Sequence, residues 1–192
     1  MEAQAEAATG RRVLVAYATK YGSTAKVAET VAEELRAAGC EAEVRSVSDA
    51  ASTAGFDAVV VGGPMILGWH KEAVKFVKAR RDVLAAVPVA YFITAASLTD
   101  DGADAVDGVP IVKDSWLAKA PSRPEKLRYR QRYALPSHYL GDVLEATVPV
   151  RPRQVAFCAF HASRTLFPPQ AEHRFHGKPN TRSEATRLLL SC

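Results

Sequence analysis

A chain of 192 residues that is 48% hydrophobic is long enough to form one domain with a substantial core. No apolar run approaches the roughly 18 to 20 residues that a membrane-spanning helix needs. The three cysteines are scattered through the chain, which argues against a disulfide framework or a cysteine metal site. We therefore expect a cytoplasmic protein with a single domain over residues 1–192 and no membrane span.

The net charge of +4 is distributed unevenly along the chain. Residues 151–192 contain seven Lys or Arg and two Glu, so this end carries +5 and the first 150 residues carry −1. The basic end is rich in proline and histidine, but it lacks aromatic interleaving and a nucleic-acid-binding motif. We expect no nucleic-acid partner.

The first elements follow a strand, loop and helix pattern after residues 1–11, which we expect to be flexible. Residues 12–18 form a short apolar run typical of a strand that is covered on both faces. The polar turn 19–24 then leads to a predicted amphipathic helix over 25–38. Its apolar positions, spaced four apart, are Val27, Val31 and Leu35. Gly39 is placed to end this helix.

The next three predicted strands continue the alternation of strands with helices. Residues 41–47 alternate apolar and charged side chains, as a half-exposed edge strand does, whereas 57–62 and 88–94 are buried apolar runs. Between the buried strands lie the loop 63–70 and a helix with one apolar face. That face contains Ala73, Phe76, Val77 and Leu84. The pattern predicts an α/β fold with a doubly wound parallel sheet.

Residues 99–150 interrupt this alternation as a long insertion between the fourth and fifth strands. We expect one helix over about 124–144, and residues 154–160 are the predicted fifth strand. Residues 165–192 form a poorly patterned tail with one short candidate helix over 183–190. In an open parallel sheet ligands bind beyond the carboxyl ends of the strands, which here are followed by loops 19–24, 63–70 and 95–102.

The first of these loops has the composition of a phosphate-binding site. It contains three Ser or Thr hydroxyl groups and a glycine, and the helix that follows presents free backbone N–H groups at its N-terminus. The loop lacks the Gly-Lys-Thr ending of a nucleotide-triphosphate loop and the three-glycine pattern of dinucleotide folds. The alternative is that Ser23 and Thr24 are only helix caps.

Two loops carry a resemblance to a known family. Thr19-Lys-Tyr-Gly-Ser-Thr24 resembles the phosphate loop of the flavodoxin family, and Gly63-Pro-Met-Ile-Leu-Gly-Trp-His70 is similar to its ring-binding loop. The second loop is especially similar to that of small flavodoxin-domain proteins that include the menaquinone-dependent protoporphyrinogen oxidases. The resemblance covers residues 12–98 and fades from residue 99 onward. It implies a flavodoxin-like three-layer sandwich, five parallel strands in the order 2-1-3-4-5, and FMN as cofactor.

The resemblance also implies a role for each candidate residue. The phosphate would be bound by Thr19, Ser23 and Thr24, within a loop completed by Lys20, Tyr21 and Gly22. The isoalloxazine ring would lie along Met65, Ile66, Leu67 and Gly68, with Trp69 stacked on it or shielding its edge. Its pyrimidine side would be covered by Ala96, Ser97 and Leu98. In the family the glycine carbonyl matching Gly68 can turn toward the protonated flavin N5. The alternatives are a core tryptophan at Trp69 and a plain turn glycine at Gly68.

The charged residues near these loops allow two interpretations. Asp100, Asp101 and Asp104 would lower the flavin potential if they lay close to the ring, whereas His70 and Lys71 would raise it. The alternative is a solvated acidic loop. The spacing of the three C-terminal histidines does not favour a metal site. These are His161, His173 and His176.

The resemblance implies flavin-dependent electron transfer or oxidoreduction. It leaves open whether the chain is an electron carrier or an enzyme. A protoporphyrinogen oxidase-like activity is one of the enzymatic alternatives. No nucleophile with an adjacent base is visible, so any catalysis would belong to the flavin. The expected partners are a redox partner protein, a quinone or a small-molecule substrate, with a homodimer also possible. The rival hypothesis is a flavodoxin-like binding or regulatory module that has lost FMN.

Overall fold

The structure is a computed structural model that describes residues 10–65, 68–114 and 117–159. The predictions for residues 1–9, for Ile66 and Leu67, and for the tail with its helix over 183–190 lie outside the described residues. Within the described residues, no helix is long and apolar enough to cross a membrane.

The described residues form nine strands. They are β1 (Arg12–Tyr17), β2 (Glu41–Ser46), β3 (Ala58–Pro64), β4 (Val89–Ala95), β5 (Leu98–Thr99), β6 (Ala105–Val106), β7 (Val109–Lys113), β8 (Ala118–Lys119) and β9 (Gln154–Ala159). Seven of them build one sheet in the order β2-β1-β3-β4-β9-β7-β6, and β5 pairs with β8 in a separate two-stranded sheet. The first five strands of the large sheet are all parallel. They confirm the predicted α/β fold and the order 2-1-3-4-5.

The predicted count of five strands was wrong because the long insertion contributes to the sheet. Strand β7 pairs with β9 in parallel, and β6 adds to β7 in antiparallel orientation. Only Val109 and Ile111 of β7 are buried, and both lie on its inner side. Two buried residues in alternate positions allow β7 to join the edge of the sheet, but so short a pattern is too weak to identify a strand from the sequence.

In the part of the chain that the structure describes, five α-helices and one short 3₁₀-helix flank or extend the sheet. They are α1 (Ser23–Ala37), α2 (Lys71–Ala79), α3 (Arg81–Ala85), α4 (Tyr129–Tyr133), α5 (Pro136–Thr147) and the 3₁₀-helix Pro124–Lys126. Helix α1 packs on one face of the sheet with Val27, Ala28 and Leu35 in its core. The other face is covered by α2, α3 and α5. The fold therefore has the three layers expected of a doubly wound sheet.

Two predicted helices are each divided in the structure. The helix expected after loop 63–70 breaks at Arg80, although Leu84 of α3 stays on its buried side. The single helix expected over 124–144 was wrong, because Leu135 is extended (φ −70°, ψ 125°) and Pro136 begins α5. A residue before proline avoids the helical region, and proline fits the first position of a helix.

Candidate functional site

The three candidate loops leave the sheet at neighbouring positions. The pairing of β1 with β3 ends at Tyr17 and Gly62, and the Ala18 N–H donates to the Gly62 carbonyl over 2.8 Å. The Met65 N–H similarly donates to the Thr94 carbonyl of β4 over 2.8 Å. Because adjacent strands are about 4.8 Å apart, the first and third loops begin only about 10 Å from each other. The carboxyl edge of the sheet therefore brings the loops together.

The phosphate-type loop makes a tight turn before α1. Gly22 has φ +83°, a conformation that glycine adopts without strain, and its N–H donates to Thr19 Oγ1 over 2.9 Å. Lys20 and Tyr21 project into solvent, with the Lys20 ammonium 5.3 Å from the Tyr21 ring centroid and 82% of Tyr21 exposed. The turn thus presents its backbone and its side chains at the surface.

The start of α1 is open to an external acceptor. Gly22 occupies the N-cap position, so Ser23 is the first helical residue rather than the cap, and the first turn contains no acidic side chain. The cap makes no side-chain hydrogen bond to the helix. A 15-residue helix carries partial positive charge at such an end. This end of α1 is suited to an anion.

Thr24 is placed differently from the other hydroxyl residues of the loop. It is fully buried, and its Oγ1 lies 3.3 Å from the Oγ1 of Thr94 at the end of β4. The hydroxyl pair therefore ties the first turn of α1 to the sheet beneath the loop.

The ring-type loop is closed by short backbone interactions. Met65 and Trp69 form an antiparallel bridge, and the His70 N–H donates to the Pro64 carbonyl over 3.1 Å. Gly68 has φ +107°, and a Cβ added there would meet nothing within 4 Å. Glycine is therefore favoured at position 68 by the backbone conformation, and not because a side chain would lack space there.

Trp69 points into the core and not toward the open edge. Its side chain is only 6% exposed, and its ring centroid lies 4.7 Å from that of Tyr91. The indole packs so closely on β3 that a Cβ on Gly63 would approach its Nε1 to 2.9 Å. The structure thus favours the alternative that Trp69 is a core residue, and its position does not support the expected stacking on a flavin.

The third loop divides its predicted residues between surface and core. Ala96 and Ser97 are exposed at the carboxyl edge of β4. Leu98 is instead buried, and its N–H donates to the Leu117 carbonyl over 2.9 Å as β5 pairs with β8. Ala96 and Ser97 can face a ligand at the edge, whereas Leu98 supports the loop from inside.

The acidic residues after this loop have partners within the long insertion. The Asp100 carboxylate lies 2.7 Å from the Lys113 ammonium, whose hydrogen bond lowers the pKa of Asp100. Asp101 accepts a hydrogen bond from the Ser137 N–H at the start of α5 over 3.1 Å. The Asp104 carbonyl accepts from the Ile111 N–H over 2.8 Å. These residues connect the chain around the third loop to β7 and α5, a role that the sequence did not suggest.

His70 acts as the cap of α2. Its Nδ1 accepts a hydrogen bond from the Glu72 N–H over 3.4 Å, which requires that nitrogen to be unprotonated. Burial lowers the pKa of His70 below its ordinary value, with Glu72 opposing the shift and two lysines reinforcing it. The imidazole is therefore neutral at pH 7 and does not supply the positive charge expected of it.

Helix α4 lies against two of the three loops, a contact that sequence reasoning missed. The Thr99 N–H donates to the Ala134 carbonyl at the end of α4 over 3.0 Å. The hydroxyl of Tyr133 interacts with the backbone of Gly68. Burial, assisted by the Asp142 carboxylate, raises the pKa of Tyr133, so its phenol stays protonated at neutral pH. The basic aromatic sequence around Tyr133 was the available signal.

Comparisons with known proteins agree with this architecture. The family model described as "Flavodoxin domain" matches residues 14–131, more than half of the chain. Oxidised flavodoxin 2 from Bacillus cereus is 24% identical over 44% of this chain, with a TM-score of 0.39, and the match spans only 62% of that protein. No curated protein sequence gives a significant match.

A second solved structure matches over nearly the whole length. It is the two-electron reduced flavodoxin of Megasphaera elsdenii, which is 13% identical, with 93% of this chain and 96% of that one covered and a TM-score of 0.51. At this identity the likeness supports the fold alone. Together with the order of the strands, the match over residues 14–131 shows that this chain belongs to the flavodoxin domain family.

Proposed function

We propose that this chain binds FMN at the carboxyl edge of the sheet and functions in electron transfer. The observation that carries the proposal is the open N-terminus of α1 after the Gly22 turn, beside a second loop that is closed around Gly68. The N-terminus of α1 would accommodate a phosphate, and the second loop would offer a surface for a flat ring. Membership of the flavodoxin domain family supports the same assignment.

The phosphate would be held by the first loop and by α1. Thr19 Oγ1 already accepts the Gly22 N–H, which leaves the hydroxyl hydrogen of Thr19 available to donate to a phosphate oxygen. Ser23 is half-buried at the first helical position and can donate in the same way. We assign Thr24 to the floor of this subsite, where its contact with Thr94 fixes the helix end. The dipole of α1 favours the dianion.

The ring would lie between the second and third loops. Met65 and Gly68 would supply one side, and Ala96 and Ser97 would supply the other. A flat amphipathic ring needs apolar surface and a few backbone hydrogen bonds, which these residues provide. Bound FMN would contribute one- and two-electron redox chemistry, while the protein residues bind it, orient it and limit its contact with water.

The proposed activity is that of a carrier that exchanges electrons with a redox partner protein. The proteins from Bacillus cereus and Megasphaera elsdenii are both flavodoxins. The structure of the first is of the oxidised state, and that of the second is of the two-electron reduced state. This proposal requires no catalytic side chain beyond the flavin site. A quinone or small-molecule substrate, a protoporphyrinogen oxidase-like activity and a homodimer remain predictions from the sequence.

The second candidate is a flavodoxin-like module without flavin. It is favoured by the two expected ligand residues that are turned inward, since Trp69 lies in the core and the Thr24 hydroxyl faces Thr94. In this case the loops would bind another molecule or a protein. The two candidates differ in one measurable property, the affinity for FMN.

Titration with FMN and with riboflavin separates them. Protein whose fold is verified by circular dichroism should bind FMN with micromolar or tighter affinity and quench the flavin fluorescence. Riboflavin, which lacks the phosphate, should bind at least about tenfold more weakly, because hydrogen bonds to a charged group each contribute about 1.5–3 kcal/mol. Folded protein that binds neither flavin would establish the module without flavin.

A further inference from the structure

A strongly basic surface surrounds α4, and we call it the α4 patch. Its six cationic residues are Lys119, Arg123, Lys126, Arg128, Arg130 and Arg132, all exposed. Glu125 is the one acidic residue between positions 119 and 133, so this stretch carries +5. Because the first 150 residues together carry −1, the rest of them carry −6. The patch is therefore an island of positive charge on an otherwise acidic part of the chain.

The positive charge of the patch is available to a partner. Among the residues that the structure describes, none of its six cations forms an ion pair with a carboxylate. Arg132 Nε donates to the Leu127 carbonyl over 3.1 Å, a local bond that leaves its charge uncompensated. Tyr129 stands among the arginines with 82% of its surface exposed. An exposed tyrosine within arginines is the composition typical of a protein-binding hot spot.

The patch is attached directly to the proposed flavin site. The end of α4 is bound to the third loop through the Thr99 N–H and the Ala134 carbonyl, which are 3.0 Å apart. Its last residue, Tyr133, also interacts with the Gly68 backbone in the ring-type loop. A protein docked on α4 would therefore lie next to the two loops that flank the ring. This position suits electron transfer, which requires the redox centres to approach closely.

We propose that the α4 patch is the docking surface for an acidic redox partner protein. The proposal rests on the proposed function for the electron-transfer step, whereas the binding itself needs only the charge of the patch. Complementary charge accelerates encounter and orients the two proteins, and Tyr129 would supply the central apolar contact. The attachment to both ring loops favours a redox protein over a nucleic acid or an anionic membrane. In the transfer, one electron would leave the reduced flavin and reduce the metal centre of the partner, and no bond would form.

The test compares two forms of one electron acceptor. Native cytochrome c is cationic, whereas succinylated cytochrome c has carboxylates in place of its lysine ammonium groups and keeps the same haem. Calorimetry on the full chain without flavin should show at least about tenfold tighter binding of the succinylated form at low salt. This preference should shrink as salt rises, because screening weakens interactions between exposed charges.

Charge reversal identifies the surface responsible. Arg128→Glu/Arg130→Glu should abolish or reverse the preference, whereas Lys75→Glu/Lys78→Glu on α2 makes the same change in net charge and should preserve it. Arg128→Gln/Arg130→Gln replaces the first variant if that variant is less folded by circular dichroism. Equal binding of the two acceptors, or equal loss in the α2 variant, would overturn the proposal. Tighter binding of duplex DNA or phosphatidylserine vesicles than of succinylated cytochrome c would overturn it as well.

A second measurement separates this proposal from the proposed function. FMN-loaded protein, reduced with dithionite and freed of excess reductant, should reduce the ferric haem of the succinylated form faster than that of the native form. Loss of this preference in protein that still holds FMN would refute the docking surface alone. If folded protein never binds FMN but still binds succinylated cytochrome c more tightly than the native form, the α4 patch would stand as a surface for acidic proteins. The electron-transfer function would then be refuted.

Discussion

The ring of Phe92 lies directly over the Cα of Gly62, its partner on the neighbouring strand. A Cβ added to Gly62 would be 1.8 Å from Phe92 Cζ, far inside any permitted contact. Phe92 is buried, so its ring has no free path away from the glycine. The end of β3, next to the ring-type loop, therefore requires that position 62 carries no side chain.

Replacement of Gly62 with alanine should destabilise the fold strongly. Overpacking of a filled core costs about 1–3 kcal/mol in the free energy of unfolding, and here the obstacle is a rigid ring. Urea unfolding measures the loss. Gly141→Ala in α5 is the matched control, since its Cβ would meet nothing within 4 Å, and it should be neutral or stabilising by up to about 1 kcal/mol. Adding Phe92→Leu to Gly62→Ala should recover part of the lost free energy of unfolding. If the effects of the two substitutions on this free energy were simply additive, the contact would be contradicted.

Ser23 and Thr24 should differ in what their hydroxyl groups support. Ser23→Ala should lower FMN affinity by about tenfold or more with unchanged stability, because Ser23 lies at the open end of α1. Thr24→Val should instead lower the free energy of unfolding by about 1–2 kcal/mol, since it leaves the buried Thr94 hydroxyl without its partner. Flavin titration and urea unfolding report the two effects. An equal decrease in riboflavin and FMN affinity for Ser23→Ala would contradict the phosphate assignment.

Gly68 should influence the redox potential more than the affinity for oxidised FMN. Its positive φ is unfavourable for alanine by about 1–2 kcal/mol, while no neighbouring atom obstructs a Cβ. Gly68→Ala should therefore bias the backbone of the ring-type loop and shift the midpoint potentials. Gly108→Ala is the control, because Gly108 also has a positive φ but lies in the turn between β6 and β7. Spectroelectrochemistry that shows unchanged potentials for Gly68→Ala would exclude this role.

Tyr91 should make the fold sensitive to alkali. Burial raises the pKa of Tyr91 from 10.0 to about 12, with the Thr147 hydroxyl opposing the shift. The unfolded chain loses this proton first, so the free energy of unfolding should fall as pH rises from 10 toward 12, by on the order of 2–3 kcal/mol. Tyr91→Phe should make this part of the profile shallower and leave its slope below pH 10 unchanged, while the buried Tyr139 and Cys158, whose pKa values burial also raises, maintain the remaining slope. Tyr129→Phe, which alters an exposed ring, controls for loss of a hydroxyl. Parallel profiles for wild type and Tyr91→Phe would contradict the effect.

The sequence predicted the central strands because their apolar runs are long and uninterrupted. The runs that became β1, β3 and β4 are rich in β-branched and aromatic residues, and their carboxyl ends located all three loops correctly. Strand β7 escaped prediction because Pro110 interrupts it and only two of its residues are buried. Pairing with β9, and not the local pattern, determines that it is a strand.

The direction of loop side chains was beyond the reach of the sequence. Trp69 turns inward because the Met65 bridge and the Tyr91 ring fix it, and Leu98 turns inward because it pairs with residues near Leu117. The contact between Tyr133 and Gly68 joins segments that are far apart in the chain. Each of these placements depends on a long-range partner, which composition and spacing do not reveal.

The position of β9 between β4 and β7 has a consequence for how the chain assembles during synthesis. Strand β7 leaves the ribosome before β9, yet its parallel place in the sheet exists only after β9 has joined β4. Until Gln154–Ala159 emerges, the nascent protein exposes an unpaired buried-type edge on β4 and an insertion without its docking strand. Unpaired edges are sites of aggregation, so we expect the nascent chain to depend most on chaperones during this interval.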